Sequence, residues 1–397
     1  MKYDTPHFVI KNNLQKSKQT NVYFGDAVTV DVLKDVCKRI TGSEKFTYEY
    51  VDNDYTDDIL PPTYNKGRMA ILRYKREVMY ISFSEKDIKG RNSSVQSVPT
   101  AFNMFYSNTY TNKKLYYYFL SVEGNPETDY HILIYRLMKT IGFNFLNPET
   151  LQHKIDAFSS VEDIMFNRRI NSGKNRNNNS TYITKSTVRN YDIYGKTYGA
   201  NKYETSLICY ALSMLAKKGQ QITLYEVLEK DLKELPESSL NVIKHIGIIN
   251  IVPTDIQLEK KAFEENNSLR SPRYIYNLLD KLGKKRCVMC GCEIPEIIQG
   301  AHIWPVAMIK KQGNISFEEK LKHATSGDNG LWLCENHHKL FDQNIISISD
   351  KGYILFSNSL SSENEVFLSN ITTYRQIPEQ ILTDKFVNYL ELRNQAI

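Results

Sequence analysis

No stretch of the 397-residue chain comes near 18 consecutive apolar residues, which excludes a transmembrane helix. The opening Met-Lys-Tyr-Asp-Thr-Pro-His-Phe-Val-Ile-Lys has no apolar core of the kind a secretory signal needs, so a cytoplasmic location is expected. Cysteine is scarce as well. Six residues are too few to staple a chain of this length, and a disulfide scaffold is excluded. Strong charge of either sign is missing: 51 Lys+Arg against 45 Asp+Glu leave +6, which permits a polyanionic partner without requiring one. There is no internal repeat. The stretch Tyr-Gly-Lys-Thr-Tyr-Gly-Ala-Asn at 194–201 contains glycine but lacks the spacing of a phosphate loop. What is present, 41% hydrophobic and 24% charged residues, describes a globular chain with enough length for two or three domains.

The pattern of elements is mixed. Residues 29–40 carry apolar side chains at helical spacing, and 69–84 alternate around a polar Lys-Arg-Glu centre, as a β-hairpin does. Pro99 can open a helix, and 130–139 reads as a short buried element. Residues 167–189 hold six basic residues and no acidic one. This segment has little to bury and is expected to be a linker, a flexible loop or an arm along DNA. Helices are expected at 204–215, 224–235, 240–246 and 379–394, and Cys37 and Cys209 are expected to be buried thiols. The resulting division is an α/β region at 1–166, a basic Asn-rich connector at 167–189, a mainly helical region at 190–270 and a last domain at 271–397. The acidic loop at 52–58 suggests no second catalytic centre.

Scarce residue types are concentrated in one place. Four of the six cysteines, four of the eight histidines and both tryptophans lie between 287 and 338. Within that window Cys287-Val-Met-Cys290 and Cys334-Glu-Asn-His337 form two ligand pairs, each with two intervening residues. Such pairs close a tetrahedron around zinc, which thiolates favour over magnesium. Cys292 is a spare thiol that could replace one ligand.

Between and beyond the pairs stand Gly-Ala-His302-Ile-Trp-Pro and Asp328-Asn329-Gly-Leu-Trp-Leu-Cys334-Glu-Asn-His337-His338-Lys-Leu-Phe-Asp342. Over about 285–357 this resembles the HNH (ββα-metal) endonuclease family, in the branch with Ala-His-Ile, Asn-Gly-Leu and His-His-x-Leu-Phe-Asp. The resemblance implies an α+β, multidomain protein with a C-terminal zinc-stabilised ββα-metal domain. It implies His302 as general base, Asn329 as the residue that orients it or touches the catalytic metal, and His338 as a ligand of that metal. Adjacent helical positions point about 100° apart, so His337 can face zinc while His338 faces the cleft. Many relatives carry Asp or His just before the base. Here that position is Ala301, so a second ligand must come from Asp328, Asn329 or Asp342, or water fills the place. His323 is expected at the surface.

Lys284, Lys285, Arg286 and Lys339 flank the motif and are candidates for phosphate contact. The cofactors implied are structural Zn2+ and a catalytic Mg2+ or other divalent ion. The architecture resembles HNH restriction endonucleases of type II, which implies that residues 1–166 are a specificity region, with double-stranded DNA as substrate, a homodimer and a companion DNA methyltransferase in the same system; the lack of long apolar runs leaves no membrane partner to expect. A modification-dependent nuclease and a non-catalytic zinc-stabilised DNA-binding protein are the alternatives.

Overall fold

The architecture was obtained as a computed structural model. It describes residues 2–12, 15–16, 23–24, 28–52, 68–84, 87–88, 97–120, 123–124, 127–172, 181–185, 190–195, 202–227, 235, 237–254, 256–266 and 271–395. The first elements are β1 (Tyr3–Asn12), β2 (Gln15–Lys16), β3 (Tyr23–Phe24), α1 (Val30–Thr41), β4 (Thr47–Asp52), β5 (Arg68–Lys75), β6 (Glu77–Phe83) and β7 (Asp87–Ile88). There follow α2 (Val98–Ser107), β8 (Lys113–Tyr118), β9 (Glu123–Gly124), α3 (Asp129–Thr140), β10 (Phe143–Phe145), α4 (Val161–Ser172), β11 (Thr181–Lys185) and β12 (Asn190–Gly195). The middle of the chain gives α5 (Lys202–Leu215), β13 (Gln221–Val227), α6 (Glu237–Ile246), β14 (Ile249–Thr254), α7 (Ile256–Glu265) and α8 (Pro272–Leu282). The last part gives β15 (Ile298–His302), α9 (Val306–Lys311), α10 (Phe317–Thr325), β16 (Gly330–Cys334), α11 (Glu335–Asp342), β17 (Ile346–Ile348), β18 (Ile354–Phe356), α12 (Ser362–Ile371) and α13 (Asp384–Asn394).

The chain forms two compact units that interleave in sequence. One comprises Met1–Asn178, Thr197–Lys218 and Lys233–Ile249; the other comprises Asn179–Lys196, Gly219–Leu232 and Asn250–Ile397. The first unit is built on a mixed six-stranded sheet of order β10-β8-β6-β5-β1-β4. Its β5–β6 hairpin pairs Arg68 with Phe83 through Tyr74 with Glu77. Strand alternation explains the dense Tyr116–Phe119 run. Tyr117 and Phe119 pack with Tyr135 and Phe145, while Tyr118 turns to Phe83 and donates to Asp35 at 2.8 Å. Helix α1 begins where Thr29 accepts the Val32 N–H and stops at Gly42, and it buries Leu33, Val36 and Cys37 against Phe8, Ile10, Leu72 and Ile81.

The second unit carries the sheet β11-β12-β13-β14 and everything after it. Of the helix expected over 224–235, residues 224–227 belong instead to strand β13, and 228–234 lie outside the described residues. Gln-Ile-Thr-Leu-Tyr-Glu-Val alternates, with Ile222, Leu224 and Glu226 buried, and period-two burial with β-branched and aromatic residues overrides the weaker helical spacing. The 190–270 region therefore holds β12, β13 and β14 beside its helices. Of the basic segment, 167–172 continue α4 and 181–185 form β11, paired antiparallel with β12; 173–180 and 186–189 lie outside the described residues. So do most of the acidic loop, 53–58, and residues 89–96 before α2. The helix expected over 379–394 is a 3-10 turn at Glu379–Ile381 followed by α13, which restarts where Thr383 accepts the Phe386 N–H.

Helix α8 links the sheet to the C-terminal ββα unit. It starts at Ser271, which accepts the Tyr274 N–H, with Pro272 in the first turn. Tyr274, Leu278 and Leu279 share one buried core with Tyr194 and Val227 of the sheet and with Trp332 and Phe341 beyond it. Strand β15 pairs antiparallel with β16, Ile298 opposite Cys334 and His302 opposite Gly330. Glycine suits 330 because a Cβ there would lie 2.6 Å from Leu278 Cδ2 and against the Tyr274 hydroxyl, so a side chain would displace these two α8 residues from the hairpin. Among the described residues no helix is long and apolar enough to cross a membrane.

Candidate active site and metal centre

Cys287, Cys290, Cys334 and His337 converge, each offering one ligand atom, with all four atoms within 4.8 Å of one another. The Sγ atoms of Cys290 and Cys334 are 3.8 Å apart, and His337 Nδ1 is 3.7 Å from Cys287 Sγ and 3.1 Å from Cys334 Sγ. Bonds of about 2.3 Å around a tetrahedral zinc require sulfur–sulfur edges of about 3.8 Å. The donor set and its spacing therefore fit the ion. The knuckle closes through Gly291, whose left-handed φ of 72° lets its N–H reach the Cys287 carbonyl at 2.8 Å. Cys292 stays outside the cluster; its carbonyl accepts the Cys287 N–H. Cys334 donates to Cys287 and pulls that thiol below its usual range, while the same bond and burial raise Cys334. His337 is fully buried, and its Nε2 meets Thr372 Oγ1 at 3.2 Å, which leaves Nδ1 as the ligand atom.

His338, the next residue of α11, faces another way. Its Nδ1 lies 3.0 Å from Gln299 Oε1 on β15, and its Nε2 lies 3.4 Å from Asp342 Oδ2, one helical turn on. Ala301 is buried and, by strand alternation, shares the face of β15 that carries Gln299, so the position just before His302 offers a methyl group and no ligand atom.

His302 closes β15. Its ring stacks on Tyr274 of α8 at 4.0 Å and 11°, and its Nε2 lies 2.9 Å from the carbonyl of Ala324 in α10. A carbonyl only accepts, so Nε2 bears the proton and Nδ1 the lone pair. Tyr274 donates to the carbonyls of Ala301 and Asn329, fixing the ring on which His302 rests.

Asn329 is completely buried. Its Oδ1 accepts the Trp304 N–H at 2.7 Å, and its Nδ2 donates to the carbonyls of Trp304 and His323 at 3.1 and 3.2 Å. The amide thus bridges the chain just after His302 to the carbonyl preceding the one that His302 uses. His323 is not a surface residue. It is half-buried, bonds Tyr389 Oη at 2.9 Å and lies edge-on to Trp304, and desolvation lowers its pKa. Asp328 is ion-paired with Lys281 and accepts from Thr383 at 3.2 Å, so its carboxylate is engaged away from His338.

The basic candidates differ among themselves. Lys284 and Arg286 both pair with Glu293, at 2.7 and 3.6 Å, and Arg286 also donates to Tyr374 Oη at 2.7 Å. Lys285 lies over the Trp332 ring, and burial lowers its pKa. Lys339 is exposed beside His338. Sequence reasoning missed Tyr274, Gln299, Glu335 and Thr372, which carry no motif signal because their roles arise from cross-element contact. It also missed Arg393 of α13, buried and donating to the carbonyls of Ile303 at 3.1 Å and Phe341 at 2.6 Å.

Residues 287–349 match the family model described as HNH endonuclease. This stretch, with its ββα layout and Cys3His cluster, is similar to HNH endonuclease domains, and the class of chemistry that the likeness points to is nuclease chemistry. No curated protein matches the chain.

Proposed function

We propose that the protein is a metal-dependent DNA endonuclease of the type II restriction kind, hydrolysing phosphodiester bonds of double-stranded DNA with His302 as general base. The observation that carries this reading is the His302 Nε2–H bond to the Ala324 carbonyl, which turns the basic Nδ1 outward from that anchor. A neutral imidazole of this tautomer can take a proton from the attacking water near neutral pH. Asn329 acts as a positioning residue, since its bond to the His323 carbonyl holds the turn that presents the Ala324 carbonyl to His302.

His338 and Asp342 are the residues that would hold the catalytic cation, with Asp342 replacing the ligand that Ala301 cannot supply. Their fit rests on the 3.4 Å separation between Nε2 and a carboxylate oxygen, two electron-pair donors that a shared cation would bring into register. A divalent ion such as Mg2+ there would neutralise charge on the phosphate and on the leaving oxygen. Lys339, beside His338, would contact a neighbouring phosphate. Lys284, Lys285 and Arg286 would add to that field only after giving up the partners described above. The zinc of the Cys287, Cys290, Cys334 and His337 cluster is structural in this reading. Duplex cleavage would use two copies of the chain, and a companion methyltransferase would protect host DNA.

Digestion of matched modified and unmodified plasmids, followed by mapping of the ends, tests the proposal. Fixed cut sites in unmodified DNA are expected; cutting confined to modified DNA would replace restriction of type II with a modification-dependent enzyme. His302→Ala is expected to slow cleavage about 10²–10⁴-fold without loss of zinc. Undiminished cleavage by that variant would remove His302 from the mechanism.

A further inference from the structure

The tautomer of His338 is set by a relay that begins at an exposed carboxylate on the helix edge. Glu335 Oε1 accepts from Gln299 Nε2 at 3.2 Å, and Gln299 Oε1 lies 3.0 Å from His338 Nδ1. A carboxylate accepts and does not donate, so Gln299 must present its NH2 to Glu335 and its oxygen to His338. That oxygen in turn accepts only, so His338 Nδ1 must carry the proton. In the neutral ring the lone pair is then on Nε2, the nitrogen 3.4 Å from Asp342. If the amide were reversed, its NH2 would face His338, Nδ1 would become the acceptor and the Nε2 proton would block the position a cation needs.

We infer that Glu335 and Gln299 are positioning residues that hold His338 in the Nδ1–H tautomer and aim Nε2, with Asp342, at a divalent cation. This rests on the assignment of His338 and Asp342 as the cation's holders. The elements are suited to the task. Gln299 is opposite Leu333 in the β15–β16 ladder, and Glu335 follows Cys334 at the start of α11, where its N–H bonds the Ile297 carbonyl. The strand and the helix that must agree on the position of His338 are thus tied by backbone as well as by the relay. Partners of ligating imidazoles that lie one step from the metal typically govern about 10–100-fold in metal affinity.

The test uses full-length, zinc-loaded protein carrying His302→Ala, so that cleavage does not enter. Mn2+ binding is followed by electron paramagnetic resonance, and the His338 ring is followed by its nitrogen-15 shifts. Glu335→Leu is expected to weaken Mn2+ binding about tenfold and to move the His338 shifts toward mixed tautomers. Glu335→Gln, which still offers an acceptor oxygen, is expected to restore both. Zinc content is expected to stay at the parent level in all variants, which separates the relay from general damage to the fold. Unchanged Mn2+ affinity and shifts in Glu335→Leu would overturn the relay alone, provided that His338→Ala abolishes Mn2+ binding. Mn2+ binding that survives His338→Ala would overturn the underlying site as well.

Discussion

A buried amide and a half-buried imidazole carry much of the organisation around His302. Asn329 spends its side chain on three backbone bonds at the point where β15 ends and α10 turns. Replacement by Leu would strand the Trp304 N–H and carbonyl and take one of two donors from the His323 carbonyl, and a loss of about 3 kcal/mol in denaturant-measured stability is expected, together with slower cleavage. His323 gives a pH signature. Desolvation first, and Lys322 second, lower its pKa in the folded protein, so the unfolded chain binds the proton more readily. Stability is fully present above the unfolded value near 6.5 and falls as pH drops from there through the depressed folded value. Melting temperature followed from pH 7.5 to 5.5 is expected to decline less steeply in His323→Asn than in the parent. The motif residues were legible because ligand spacing is a property of the chain itself. His323 was misjudged because its burial depends on Tyr389, 66 residues away, and nothing local announces such a neighbour.

At the scale of elements, the ββα unit works because two helices press on a small hairpin. Helix α8 comes so close that Gly330 has no room for a methyl group, and its Tyr274 supplies the platform for His302. Gly330→Ala is expected to cost about 1–3 kcal/mol and to reduce cleavage more than it reduces zinc binding, since the displaced surface lies at the His302 end of the hairpin. Equal loss of zinc and cleavage would contradict this. Helix α13 secures the opposite side through Arg393, a buried cation that donates to the carbonyls of Ile303 and Phe341 and to Asn344 Oδ1. Helices with clear apolar spacing, such as α1 and α5, could be read directly. Strand β13 could not, because Leu224, Tyr225 and Val227 fit a helical stripe as well as a pleat until β12 and β14 supply partners on both sides.

Considered as a whole molecule, zinc and sheet are distributed unequally. All four candidate zinc residues belong to the second unit, and none belongs to the unit built on the six-stranded sheet. Chelation is therefore expected to raise hydrogen exchange across 287–349 while leaving β5, β6 and β8 protected; uniform exchange throughout the chain would argue against a structural ion confined to one unit. The order of segments has a consequence for how such a protein can be divided or inherited. A fragment starting at 250 would keep the whole matched HNH stretch yet lose β11, β12 and β13, the strands whose Tyr194 and Val227 share the α8 core. The unit that holds the HNH-like stretch cannot be lifted out as one continuous piece of the gene. Moving this unit between proteins would require three pieces of chain to travel together, so residue changes made in place disturb its core less than an exchange of modules would.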